Sequence, residues 1–235
     1  MLILAIDSTA KTAAAALVRD GVSIGSVTLD AGNTHSETLL PAVEFLLSST
    51  YLTVCNIDVF ACAVGPGSFT GVRIGTATAK GLAFGRGDVC AAVDELDALA
   101  ENLADTNCIA CPVMDARRDQ VYTAVYECVD GGVRRLTDDM AISVDELGEV
   151  LSSIESELPI CFVGDGYDLV YPRLSSKLPR TAETPKLMRG HNAVSVARAA
   201  ERMINSGIPL VDAESLSPSY LRPSQAEREY AEKHK

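Results

Sequence analysis

The first thirty residues contain three apolar runs separated by turn signals, and this feature constrains the fold more than any other. Leu2–Ile6 is short, apolar and ends at Asp7, as a buried strand does. Ala13–Val18 is a second run. Arg19-Asp20-Gly21 follows as a turn, because Asp-Gly accepts the positive φ of a tight hairpin. Val22–Leu29 alternates as a third strand. Such a series is a meander. Helical patterns appear only after it, so the sheet is predicted to be mixed and covered by helices.

Ser36–Ser48 has helical spacing through Leu39, Leu40, Val43, Leu46 and Leu47, with Ser36 as its predicted N-cap. Pro41 is then expected near the first turn, since deeper in the helix it would kink it. Val59–Val64 reads as a buried strand leading into a Gly-rich loop and a helix to about Phe84, which Gly85 and Gly87 end. Val89–Ala92 (strand) and Leu96–Ala104 (helix) complete an N-terminal lobe, residues 1–106. A C-terminal lobe, residues 107–192, is expected to hold strands Ile109–Met114, Val121–Tyr126 and Ile160–Val163 and a helix Val144–Leu151. Residues 172–190 read as loop. Val194–Ile204 is an amphipathic helix. With the tail it forms a segment, 193–235, expected to pack back on the N-terminal lobe. The charged tail from Ser217 is expected to be ordered by a partner.

At 47% hydrophobic residues the chain can bury a core, and with no Trp that core must rest on Ala, Val, Leu and Ile. A net charge of −12 repels phosphate, so this chain is not expected to bind nucleic acid alone. Seven Cys, an odd number scattered through apolar runs such as those of Cys55, Cys62 and Cys90, suit a reducing cytosol better than a disulfide framework. Cys108 and Cys111 form a lone C-x-x-C. Zinc would need a second pair, and a redox motif would open a helix where this stretch reads as strand. The sequence carries no secretory pattern and no apolar run of the ~18–20 residues that spans a bilayer. The expectation is a cytoplasmic protein with no metal site and no cofactor.

Four constellations could carry chemistry. Asp7-Ser8-Thr9 ends a strand before a hairpin. In nucleotide-binding proteins of the actin/sugar-kinase/Hsp70 group this place holds Asp-x-Gly-Thr/Ser, whose Gly lets backbone N–H groups approach a phosphate. Ser8 stands where that Gly would be, so the site reads as a vestigial nucleotide site or an Asx-type turn. Gly65-Pro66-Gly67-Ser68-Phe69-Thr70-Gly71-Val72-Arg73-Ile74-Gly75 is neither a Walker A loop nor a dinucleotide fingerprint. Its helix carries Gly71, Gly75 and Gly81, each costing roughly 1 kcal/mol against Ala. Gly71, Gly75 and Ala79 are four apart and share a face with Val72, Arg73 and Thr76 beside it. That face allows close approach, to the chain's own sheet or to another helix; the helix has two faces, so both contacts can hold, and a partner contact on the outer face is favoured. His35-Ser36-Glu37 reads as a helix start, since one His makes a weak metal site. Asp115-Ala116-Arg117-Arg118 with Tyr122 is a solvated turn or an anion site.

These stretches resemble the TsaB (YeaZ) family. The resemblance rests on Ile6-Asp7-Ser8-Thr9, His35-Ser36-Glu37 with Leu39-Leu40-Pro41, and the Gly65–Gly75 block. It continues through Met114-Asp115-Ala116-Arg117, Val163-Gly164-Asp165-Gly166 and Pro218-Ser219-Tyr220-Leu221-Arg222, in order along nearly the whole chain. It implies an α/β, two-lobed actin-like ATPase (sugar kinase/Hsp70/actin) fold with mixed, helix-covered sheets. It further implies a non-catalytic subunit that pairs with the catalytic paralogue TsaD as a heterodimer, or with itself when alone. TsaD transfers threonylcarbamoyl to the adenosine 3′ of the anticodon in tRNAs reading ANN codons, and a TsaE-like ATPase joins. tRNA would be met only through that complex, with no membrane involved. The implied partner interface lies on the helices beginning near Ser36 and Thr70: His35, Glu37, Leu40, Gly71, Val72, Arg73, Gly75, Thr76 and Ala79. Gly65, Pro66, Gly67, Ser68, Phe69 and Thr70 form its motif loop. TsaD follows its Gly-rich block with a His-Met-Glu-Gly-His metal motif, and the corresponding stretch here, Val93–Ala98, has no His. The alternatives are an ATP-dependent enzyme of the same fold acting through Asp7 and Thr9, or a glycopeptidase-like metallopeptidase.

Overall fold

The computed structural model describes residues 1–87 and 89–222. The N-terminal meander forms as its turn chemistry predicts. β1 (Leu2–Asp7) pairs antiparallel with β2 (Ala13–Arg19), and β2 with β3 (Val22–Leu29). Asp20 and Gly21 take φ of 49° and 77°, the two positive values that such a hairpin needs. Beyond β1, the strands β4 (Val59–Gly65) and β5 (Cys90–Asp94) pair in parallel, giving the order β3-β2-β1-β4-β5. α1 (His35–Ser49) leads from β3 to β4, and α2 (Phe69–Ala83) makes the crossover that parallel neighbours require.

The pleat sends alternate side chains of β1 to opposite faces. Leu2, Leu4 and Ile6 bury against α1 and α2. Ile3 and Ala5 bury with α6 (Ala193–Asn205) on the other face. α3 (Glu95–Glu101) is shared between the two halves of the molecule. Its Ala98 buries with the first sheet, whereas Leu96 and Leu99 bury with Cys108, Tyr126 and Val163 of the second.

That second sheet has seven strands. They are β6 (Cys108–Asp115), β7 (Gln120–Thr123), β8 (Tyr126–Val129), β9 (Gly132–Arg135), β10 (Met140–Ser143), β11 (Ile160–Val163) and β12 (Thr181–Ala182). α4 (Val144–Ser152) and α5 (Tyr167–Leu174) cover one face with Leu147, Leu151, Val170 and Leu174. Cys108 and Cys111 stand on β6 and bury in different clusters, one on each side of the sheet. They do not face each other.

Several expectations need correction. The predicted strand Val121–Tyr126 is two strands, broken at Ala124 and Val125. β9 and β10 escaped the pattern because they are four residues long and incompletely buried. α5 runs on through Pro172 into a stretch read as loop, and β12 lies there too. The N-cap of α1 is Thr34, so Ser36 is already helical and Pro41 is the seventh helical residue. Pro41 is exposed, so the Glu37 carbonyl that it leaves without a backbone donor faces solvent. No helix among the described residues is long and apolar enough to cross a membrane. The tail was expected to be ordered by a partner from Ser217 on, but Ser219–Arg222 is held by this chain itself, through Val64, Phe69, Gln120 and Ala141; the part beyond Arg222 lies outside the described residues.

Candidate functional site

The Gly-rich loop is where three segments meet. Gly65 ends β4 at φ 120°, and a Cβ there would strike the Ser219 carbonyl oxygen. A Cβ on Gly67 would strike the Thr9 carbonyl oxygen, which accepts a bond from Ser68 N at 2.6 Å. Ser68 caps α2, its hydroxyl accepting from Gly71 N at 3.2 Å. Phe69 stacks on Tyr220 with centroids 4.6 Å apart. The Arg73 guanidinium lies 3.9 Å over the Phe69 ring, and its Nε donates to Tyr220 Oη at 2.9 Å.

The glycine face of α2 turns inward onto the chain's own sheet, which leaves the outer side of the helix for any partner contact. Gly71, Val72, Gly75, Thr76 and Ala79 are all buried in this chain. A Cβ on Gly71 would collide with the Ser8 carbonyl oxygen, and one on Gly75 would come 2.5 Å from Ser8 Oγ. The small residues therefore let α2 lie directly on the end of β1, and those five positions are covered by the chain itself. The outward side of α2 presents Thr70, Arg73, Ala77 and Gly81. On α1, Leu40 is 44% exposed and Phe45 61%. His35 is tied down, its Nε2 lying 2.9 Å from the Ala10 carbonyl oxygen. Glu37 reaches back to Thr34 N at 3.4 Å as part of a capping box.

Ser8 also differs from expectation. Its hydroxyl donates to Gly71 O at 2.8 Å, so it points into α2 rather than into the cleft. The cleft, ≈ 480 Å³, is lined instead by Thr9, Ala10 and Lys11, the Pro66–Phe69 loop, Asp115–Arg117 and the segment Ser219–Arg222. That segment crosses from one half of the molecule to the other. Ser219 N donates to Val64 O at 2.7 Å on one side. On the other, Arg222 donates to Gln120 Oε1 at 2.6 Å and to the Ala141 carbonyl at 2.7 Å. The two-arginine turn is a left-handed run, with Arg117, Arg118 and Asp119 at φ of 66°, 56° and 59°. Arg117 lines the cleft, and Tyr122 lies on the same wall.

Beneath the cleft lies a buried polar cluster that no local motif announces. Asp7 Oδ1 accepts from Thr9 N and Thr9 Oγ1, both at 2.8 Å. This is the Asx-type turn of the sequence reading. Glu95, the first residue of α3, has Oε1 2.7 Å from His191 Nδ1, which is also 3.9 Å from Asp7 Oδ2. His191 Nε2 lies 3.9 Å from Asp165 Oδ1. Asn102 holds the loop bearing His191, donating to the carbonyls of Met188 and Gly190 at 3.0 and 2.9 Å. Burial, and next the Asp7 charge, push Glu95 up to about 7 against the lowering effect of His191. Burial opposes charge on His191, yet the carboxyl groups of Asp165, Glu95 and Asp7 hold it well above the ordinary imidazole value. Burial would likewise raise Asp165, but His191 outweighs it and lowers that carboxyl. The paralogue's metal motif does not fit here: its stretch, Val93–Ala98, supplies three carboxylates, of which Glu95 alone enters the cluster, and no imidazole.

Comparison with known proteins agrees along the whole chain. Residues 23–230 match the family described as "TsaD: tRNA N6-adenosine threonylcarbamoyltransferase". The tRNA threonylcarbamoyladenosine biosynthesis protein TsaB of Bacillus subtilis is 31% identical over 236 residues, covering 100% of both chains. The Escherichia coli protein of the same name is 34% identical over 135 residues, 57% of this chain and 58% of that one. The solved structure of YeaZ from Pseudomonas aeruginosa superposes with a TM-score of 0.74 at 25% identity, over 94% of this chain and 99% of that one. Component A of the Acidaminococcus fermentans (R)-2-hydroxyglutaryl-CoA dehydratase shares the fold at a TM-score of 0.50 and 10% identity, over 87% of this chain and 99% of that one. The fold is the mixed α/β, actin-like one that the sequence resemblance implies. End-to-end identity, the family match and the shared fold together establish that the chain belongs to the TsaB (YeaZ) family.

Proposed function

We propose that the chain is a non-catalytic subunit in the formation of tRNA threonylcarbamoyladenosine. It docks through the outer sides of α1 and α2 on a TsaD-like catalytic paralogue, which a TsaE-like ATPase joins. In that partner's absence it pairs with itself. It meets tRNA only through the complex, because a chain of net charge −12 repels a polyanion and the basic surface must come from elsewhere. The observation that carries the reading is the apolar surface left on these helices: Leu40 and Phe45 on α1, and Phe84, 84% exposed, just after α2. Large side chains exposed on neighbouring elements of a small protein mark a contact surface.

The test is size-exclusion chromatography with light scattering, on the chain alone and mixed with its TsaD-like protein. Leu40→Asp and Ala77→Arg change exposed positions, so both variants are expected to stay folded and to lose the one-to-one complex. Undiminished pairing by both variants removes this face. No complex with the wild-type chain under any nucleotide condition removes the subunit reading.

A second reading, a nucleotide-using enzyme, is favoured by the cleft beside Thr9 and Lys11. Calorimetric titration with Mg-ATP separates the two, since micromolar binding by the isolated chain supports the enzyme.

A further inference from the structure

Asp7, Glu95 and His191 are each buried, and one potential ligand atom from each lies within 4.8 Å of the others. Asp165 stands at the edge of this group, on the wall of the cleft. Among the described residues, His191 is the one salt-bridge partner that Asp7, Glu95 and Asp165 have. Three carboxyl groups thus share one imidazole. Even an imidazolium would leave surplus negative charge in a buried place, which is costly without a counter-ion. Asp7 Oδ2, Glu95 Oε2 and His191 Nε2 are buried with no hydrogen-bond partner.

The surrounding shell is built. Both Thr9 donors fall on Asp7 Oδ1 and leave Oδ2 turned to the cluster, as a ligating carboxylate is held. Asn102 fixes the loop before α6 and so fixes His191. Glu95 is set by the start of α3, where Asp94 caps the helix.

We propose that Asp7, Glu95 and His191 form a site for one divalent transition ion of the Zn²⁺ or Mn²⁺ type, with Asp165 at its cleft-facing side. Two carboxylate oxygens and an imidazole nitrogen are the donor set such ions take. The ion replaces the proton between His191 Nδ1 and its carboxylate neighbours, which are 2.7 and 3.9 Å away, and that proton leaves to solvent. The ligands come from the end of β1, the start of α3 and the loop before α6, so the ion ties together elements distant in sequence. None of them uses a His-x-x-x-His helix. The inference does not depend on the proposed pairing.

The test is equilibrium dialysis of the whole chain against Zn²⁺ or Mn²⁺ with elemental analysis, in a Cys55→Ser background because Cys55 is an exposed thiol. One equivalent should be retained and should raise the melting temperature. Glu95→Gln and Asp7→Asn should each weaken binding at least tenfold. Should those variants fail to fold, X-ray absorption on the loaded wild-type fold decides. Nitrogen and oxygen donors with one imidazole support the site, and a sulfur donor overturns it. No retained metal, binding of Mg²⁺ alone, or retention unchanged by both substitutions also overturns it.

Discussion

Three glycines on one helix have different reasons to be glycine. Gly71 and Gly75 lie against Ser8, where a methyl group would meet its carbonyl and its hydroxyl. Gly81 has nothing within 4 Å of its would-be Cβ. Gly75→Ala is therefore expected to destabilise the chain by about 1–3 kcal/mol through overpacking, less the roughly 1 kcal/mol that Ala gains in a helix. Gly71→Ala should cost more, because its obstacle is backbone. Gly81→Ala should instead stabilise by about 1 kcal/mol. Urea unfolding of the three variants checks this, and a neutral Gly75→Ala would contradict the packing. A large residue at Gly75 would damage the fold itself, so exposed positions such as Leu40 and Ala77 are the ones that report on partner binding.

At the scale of elements, local chemistry fixes where helices start. α4 begins with a full capping box: Ser143 accepts from Glu146 N at 3.3 Å, and Glu146 Oε2 accepts from Ser143 N at 2.7 Å. Ser143→Ala is expected to cost about 1 kcal/mol in thermal unfolding, whereas Lys177→Ala, which breaks a solvent-screened ion pair to Asp145, should leave the melting temperature unchanged. α2 owes less to propensity than to contact. The Ser68 N–H bond to the Thr9 carbonyl, the glycine face and the Phe69–Tyr220–Arg73 stack hold it to the end of β1 and to the chain's last described segment. Tyr220→Ala removes that stack and is expected to cost about 0.5–1.5 kcal/mol.

For the whole molecule, the Ser219–Arg222 segment joins the two sheets across the cleft. Tyr220 rests on α2, while Arg222 bonds to β7 and β10. Arg222→Ala should loosen this tie without unfolding either half. The expected result is faster amide exchange at Ser219 and around Gln120 with the core strands unchanged. Exchange rising equally throughout the chain would show that the segment holds the global fold instead.

Sequence alone determined the elements whose information is local. Short apolar runs marked β1, β2 and β4, alternation marked β3, and Asp20-Gly21 marked the first hairpin. A 3.6-residue period marked α1 and α6, and the ordered motifs indicated the family and the actin-like fold. Short strands such as β9 and β10 left no such trace, because four residues carry too little period to stand out. Only the tertiary structure decided what the glycine face of α2 touches, since glycines allow close approach equally within a chain and between chains. It alone joined Glu95 to His191, which lie 96 residues apart. Burial and charge at that distance in sequence are properties of packing, and no spacing of residues along the chain encodes them.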